Sequence, residues 1–228
     1  IIADGLIFNI DAANRACYPK TGTTATDTIG SVDGTLTNGT AFSDTNKGTF
    51  DFDGTDDYID LGSSLEINTN AAWSVSFWTN LDAYSPVYPA PFTLKTDEST
   101  GFCCFFSENT NYEGINFGSS ANFTRFKTGG DISASLVGAW NNITLTYNGS
   151  GKTTNNNYNI YVNGEASPIV AAGAFGGVSN ISVIGRIAVG NTFNGDIPNF
   201  IIYNRELSAT EVLHNYNSLK SRFEWVDE

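Results

Sequence analysis

Residues 140–164 read WNNITLTYNGSGKTTNNNYNIYVNG, and this stretch decides the fold. From Trp140 to Tyr147 apolar and polar residues alternate, the period-two pattern of a half-buried strand. Asn148-Gly149 closes that strand, and the polar run Ser150–Asn157 leads to a second one at Tyr158–Val162. Asn163-Gly164 then supplies the strongest two-residue hairpin turn in the chain. A type I′ turn needs positive φ at both central residues, and asparagine followed by glycine tolerates it best.

The same grammar repeats outward in both directions. Trp73–Leu81 alternates with Trp73, Val75 and Phe77 on one face and Ser74, Ser76 and Trp78 on the other. Strands are predicted at Gly5–Ile10, Gly34–Leu36, Gly48–Phe52 and Tyr58–Leu61, with Asp53-Gly54 and Asp56-Asp57 in the turn between the last two. Further strands are predicted at Phe92–Lys95, Gly101–Ser107, Gly114–Phe117, Phe123–Phe126, Ile181–Ile184 and Gly195–Tyr203. Many short strands separated by Gly, Asn, Asp, Ser and Thr clusters predict a sandwich or barrel. One helix is predicted, at the end. Ser208-Ala209-Thr210-Glu211 fits a capping box, with Leu207 and Val212 as a hydrophobic staple. Val212, Tyr216 and Leu219 then share one helical face. The expected architecture is all-β: a two-sheet antiparallel jelly-roll sandwich with one short C-terminal helix, residues 1–228 forming one domain.

Bulk composition narrows the function classes. The chain has 228 residues, 40% of them hydrophobic, so a large core is available. The 24 acidic residues against 11 basic ones give a formal net charge of -13. Such a surface repels phosphate backbones and anionic membranes. Nucleic-acid binding is therefore not expected. No run of 18 apolar residues occurs, so membrane insertion by a helix is not expected either. The chain opens on Ile1 and contains no methionine, and its first residue is read as a processed or internal start. Cys17, Cys103 and Cys104 are read as free thiols serving as small hydrophobes. Neighbouring strand residues point to opposite faces, which argues against a bond between Cys103 and Cys104.

Several blocks resemble the concanavalin A-like lectin/glucanase superfamily in its laminin G-like form. They are Phe52-Asp53-Gly54-Thr55-Asp56-Asp57-Tyr58-Ile59, Trp73–Trp78, Trp140–Gly149, Tyr161–Glu165 and Phe193–Ile197 with Ile202–Ser208. They follow the family's order from about Gly5 to Tyr216. The opening Leu6–Asn14, with Tyr18-Pro19 and Gly34–Gly39, resembles the variant carried by virion proteins of tailed bacteriophages. That resemblance implies a non-catalytic virion surface protein, a capsid decoration or a tail or fibre appendage. Its partners would be other virion proteins or copies of itself, with host polysaccharide as a glycan ligand. The alternative is a free or cell-surface lectin, with or without calcium, and a glycoside hydrolase is the distant one.

Hydrolases of this superfamily carry acids at alternate positions of one strand, in a Glu-x-Asp-x-Glu pattern. Such spacing puts carboxyl groups on one face at the separation a retaining mechanism needs. No glutamate here stands two residues from another acid on a predicted strand. His214, the single histidine, lies on the predicted helix with no nucleophile beside it. No catalytic residue is assigned. For calcium, Asp56 and Asp57 are the candidate ligands, because Ca²⁺ takes several oxygens and usually two or more carboxylates. The competing reading is that Asp57 caps the hairpin by accepting backbone N–H groups. A pentraxin-type calcium site would use Asp97-Glu98 with acids in the loop before the closing strand, and Gly185–Asn194 carries none. For sugar, Tyr84, Tyr88 and Tyr112 are the candidate platforms, set in loops rich in asparagine.

Overall fold

The structure is a computed structural model and describes residues 1–66, 71–85, 88–94, 102–109, 113–119, 125–151, 155–171, 180–186 and 191–223. Seventeen strands are seen among them. The first six are β1 (Leu6–Asp11), β2 (Thr24–Ala25), β3 (Gly34–Thr37), β4 (Ala41–Ser43), β5 (Thr49–Asp53) and β6 (Tyr58–Glu66). Next come β7 (Trp73–Leu81), β8 (Phe92–Leu94), β9 (Phe102–Ser107), β10 (Gly114–Ser119), β11 (Arg125–Thr128) and β12 (Trp140–Tyr147). The last five are β13 (Tyr158–Val162), β14 (Glu165–Ser167), β15 (Ile169–Ala171), β16 (Asn180–Ile184) and β17 (Asn194–Tyr203). A single helical turn, α1 (Ser133–Leu136), precedes β12, and the capped helix α2 (Ala209–Leu219) follows β17.

The strands form two antiparallel sheets. Sheet I runs β14-β13-β12-β7-β17-β5-β4, with β1 also on β17. Sheet II runs β15-β11-β10-β9-β8-β16-β6-β3-β2. The ten residues of β17 organise sheet I. One edge lies along β7, while the other is shared by β5 at its start and β1 at its end. Asp196 thereby stands opposite both Asp51 and Asn80. The register with β7 slips between Asp196 and Asn199. Gly195 makes the approach possible: a Cβ there would fall 2.1 Å from the Asn80 carbonyl oxygen.

The core is aromatic. Phe77 stacks on Phe200 at 5.7 Å between ring centroids, and Phe92 meets Phe200 edge-on at 5.2 Å. The residues that alternation grouped on one face of β7, Trp73, Val75 and Phe77, are all buried in this cluster. The Asn163-Gly164 turn has φ of 53° and 81°, as a type I′ hairpin requires. The short strands β2, β4, β14 and β15 lack a recognisable alternation because two or three residues hold too few periods.

The outward face of sheet I is covered as well. The capping box forms: Ser208 Oγ accepts from the Glu211 N–H, and Glu211 Oε2 accepts from the Ser208 N–H. Leu207 and Val212 pack with Tyr161, Ile201 and Tyr203 under α2. Trp78 stacks on Tyr216 at 5.5 Å and on Phe223 at 4.3 Å, and Trp140 meets Phe223 at 4.8 Å. Arg222 fixes this strap by an ion pair to Asp11 at 2.8 Å and by bonds to the carbonyls of Asn46 and Gly48.

Candidate functional site

The β5–β6 turn gathers three carboxylates. Oxygens of Asp53, Asp56 and Asp57 all lie within 4.8 Å of one another. Asp53 ends β5 pointing outward, because the alternation that buries Phe50 and Phe52 exposes Asp51 and Asp53. Asp57 is only 4% exposed, and its Oδ2 accepts the Asp53 N–H at 3.0 Å. Asp53 Oδ1 in turn accepts the Thr55 N–H at 2.7 Å. Neighbouring loops close the turn: Thr192 Oγ1 donates to the Gly54 carbonyl and Asn38 Nδ2 to the Asp56 carbonyl. Burial pushes the Asp57 carboxyl up, the Asp53 N–H opposes it, and the charges of Asp53, Asp56 and Asp51 add to it. Asp57 therefore serves the backbone as its capping reading expects. The oxygen-only, carboxylate-rich donor set is of the kind Ca²⁺ takes. Two of its oxygens are spent on backbone N–H groups.

A second carboxylate row escapes any reading limited to one strand. Asp196 on β17 faces Asp51 on β5. Thr49 Oγ1 donates to Asp196 Oδ1 at 2.6 Å. Burial pushes the Asp196 carboxyl up to about 6; the Thr49 hydroxyl opposes this, and the Asp51 and Asp82 charges reinforce it. Asp51 is raised too, first by burial and then by Asp82 and Asp53. Asp51 and Asp196 are far apart in the chain, so only strand pairing reveals them as neighbours.

The candidate tyrosines are not brought together. Tyr84 is half-buried against the main core, and its hydroxyl donates to the Ser133 carbonyl at 2.8 Å, tying its loop to α1. Burial raises that phenol, and the Glu108 and Asp131 charges add to the shift. Tyr88 packs in a separate small cluster with Ala90, Cys103 and Phe105, meeting the Phe105 ring edge-on at 5.6 Å. Tyr112 lies outside the described residues, as do Asp97 and Glu98. His214 is exposed on α2. All three cysteines are free and buried. Cys17 accepts the Asp11 N–H, and burial pushes its thiol up to about 11.

A cleft opens at the margin where the chain crosses from sheet I to sheet II. It has a volume of about 410 Å³ and is lined by Asn156, Tyr158, Asn159, Ser167 and Ile169. Its walls are the start of β13 and the consecutive edge strands β14 and β15, joined across Pro168. Sequence reading placed Asn156 in a hairpin loop. Nothing in the local pattern announces that β15 changes sheets.

Residues 53–213, more than half of the chain, match the family model described as the concanavalin A-like lectin/glucanases superfamily, and the chain belongs to that superfamily. No curated protein sequence matches it. Among solved structures it is similar to domain 4 of AbnA, a GH43 extracellular arabinanase from Geobacillus stearothermophilus, in complex with arabinotriose. That match has 19% identity and a TM-score of 0.61, and covers 92% of this chain and 97% of that one. It is also similar to the binding domain of Paraclostridial Mosquitocidal Protein 1, with 16% identity, a TM-score of 0.66, and coverage of 94% and 52%. A Trypanosoma rangeli sialidase in complex with the inhibitor DANA matches at 14% identity and a TM-score of 0.64. The match covers 95% of this chain, which spans about a third of the sialidase's length (33%). At these identities the likeness shows the fold, and function needs its own argument from the site.

Proposed function

We propose that this chain is a non-catalytic carbohydrate-binding protein displayed on a virion surface, as a capsid decoration or a tail or fibre appendage that touches host polysaccharide. The observation that carries the binding part is the match in size and fold to the arabinanase domain, which spans 97% of that domain and is itself described with a bound trisaccharide. The superfamily match over residues 53–213 supports the same reading. The virion placement rests on the opening motif Leu6–Asn14 with Gly34–Gly39. The non-catalytic part rests on how the acids are used. Asp57 caps a turn, and Asp196 is held by Thr49 on the outer face of sheet I.

A glycan array tests the first part: retention of at least one oligosaccharide class is expected, and a blank array would overturn it. Turnover of a retained glycan into shorter products would overturn the non-catalytic reading. Co-purification with particles tests the placement. If the chain stays free in solution while binding glycan, it is a lectin and not a virion component.

A further inference from the structure

We propose that Thr49, Asp196 and Asn80 form a proton-gated clasp across β5, β17 and β7. A proton on Asp196 completes a hydrogen-bond chain through the three strands, and its loss opens the last link. The first link is in place: Thr49 is fully buried, and its Oγ1 donates to Asp196 Oδ1 at 2.6 Å. A hydroxyl can make that bond whether the carboxyl is ionised or neutral. It leaves Asp196 Oδ2 uncommitted. On the other side, Asn80 stands directly opposite Asp196 in the β17–β7 pairing. Side chains so opposed have Cβ atoms about 4.5–5.5 Å apart. Asn80 Oδ1 is buried and has no hydrogen-bond donor among the described residues.

That orphaned acceptor decides the state of the last link. A buried oxygen without a donor is costly, because folding has stripped its water and returned nothing. An ionised Asp196 has no hydrogen to offer and sets its own lone pairs against the amide oxygen. A neutral Asp196 carries a hydroxyl on Oδ2, the donor that Asn80 Oδ1 lacks. A bond made only by the neutral acid holds the proton in place.

The facing charges act in the same sense. Asp51 lies opposite Asp196 from β5, and Asp82 follows the end of β7; both add to the effect of burial on Asp196. Asp53, farther along β5, acts on Asp51. No cation is among the groups that shift Asp196. Arg222, on the strap over this face, is spent on Asp11 and on the Asn46 and Gly48 carbonyls. The β17–β7 register slips between Asp196 and Asn199, so the backbone ladder is irregular beside the clasp. Side chains there tie strands that main-chain bonds hold less evenly. The clasp closes the centre of sheet I in mildly acidic solution and releases it as pH rises.

The test is carbon-13 NMR of the full chain, labelled at the side-chain carbonyl carbons of aspartate and asparagine and titrated from about pH 4 to 8. The Asp196 Cγ should titrate with a midpoint near 6, and the Asn80 Cγ should shift with the same midpoint. Asp51→Asn removes one facing charge and should lower both midpoints together. In Asp196→Asn the new amide keeps a donor, so Asn80 should stay at its acid-side position across the range. Asp196→Leu is neutral but has no donor, and Asn80 should then lie apart from that position. If Asn80 in Asp196→Leu coincides with acidic wild type, it senses only the charge and the clasp is overturned. An Asn80 signal that stays flat while Asp196 titrates overturns it in wild type alone, as does an Asp196 midpoint near the ordinary value of about 3.9.

Discussion

Asp196 and Asp51 face each other from adjacent antiparallel strands on the outward side of sheet I, with Thr49 bonded to the first at 2.6 Å. Burial makes both carboxylates costly to ionise, and their mutual repulsion adds to that cost. Asp196 is raised to about 6 for these reasons.

Stability therefore falls as pH rises through this group. The unfolded carboxyl titrates near 3.9, so between about pH 4 and 6 the folded state holds more protons than the unfolded one. Ionisation at higher pH then counts against folding by about 3 kcal/mol, scaled from 1.36 kcal/mol per pKa unit. Asp51 and Asp57 shift the same way. Asp196→Asn keeps an acceptor for Thr49 and removes the charge. Urea unfolding should show the variant more stable than wild type at pH 7.5 and indistinguishable from it at pH 4. A wild type equally stable at both pH values, once the variant is matched, would contradict the assignment.

At the hairpin, Asp57→Ala should cost about 1–3 kcal/mol, because it strands the partly buried Asp53 N–H. Asp57→Asn keeps an acceptor and relieves repulsion, so its cost should be smaller. Asp56→Asn, at an exposed position, should stay within about 0.5 kcal/mol. Because the turn is closed by its own backbone bonds, 1 mM calcium should shift the wild-type melting temperature by less than about 1 °C. A larger rise, abolished in Asp56→Asn, would mean that the three carboxylates hold the ion.

The sandwich was legible where the signal is local. Alternation placed β7, β12 and β13 to the residue, and Asn163-Gly164 and Ser208–Glu211 announced their turn and cap through backbone chemistry that depends on two to four residues. Asp57 was legible for the same reason. What escaped depends on long-range pairing. Asp51 meets Asp196 only because β5 and β17 are neighbours, and Asn156 lines a cleft only because β15 leaves sheet I for sheet II. Tyr84 looked like a loop platform because its partner, the Ser133 carbonyl, belongs to a one-turn helix that alternation does not mark.

The α2 cap offers a pH dependence of opposite sign. Glu211 is lowered to about 2, first by the Arg205 guanidinium at 2.7 Å and then by the Ser208 N–H. A depressed carboxyl stabilises above its unfolded value near 4.3, and the gain is lost as pH falls toward 2. Combined with Asp196, this predicts a stability maximum near pH 4–5, below the usual range. Ser208→Ala should cost about 1 kcal/mol near neutral pH and less toward pH 2, since the hydroxyl also donates to the Glu211 carboxylate at 2.9 Å. Glu211→Gln should flatten only the acid limb. A pH series of melting temperatures for the three proteins separates the two limbs.

Phe223 supplies the last prediction. It is 5% exposed and lies between Trp78 and Trp140, with Arg222 beside it anchored on Asp11. Truncating a buried aromatic ring typically costs about 3–5 kcal/mol. Phe223→Ala should fall at the lower end, about 3 kcal/mol. It should also red-shift the tryptophan emission, as Trp78 and Trp140 lose their cover. Arg222→Ala leaves Asp11 without its ion pair and should cost about 2 kcal/mol. The two residues hold one strap, so their effects should be less than additive: once Arg222 no longer holds the segment down, less of the Phe223 contact remains to be lost. Full additivity in the double variant would show that ring and ion pair act separately, and that the strap is two contacts and not one latch.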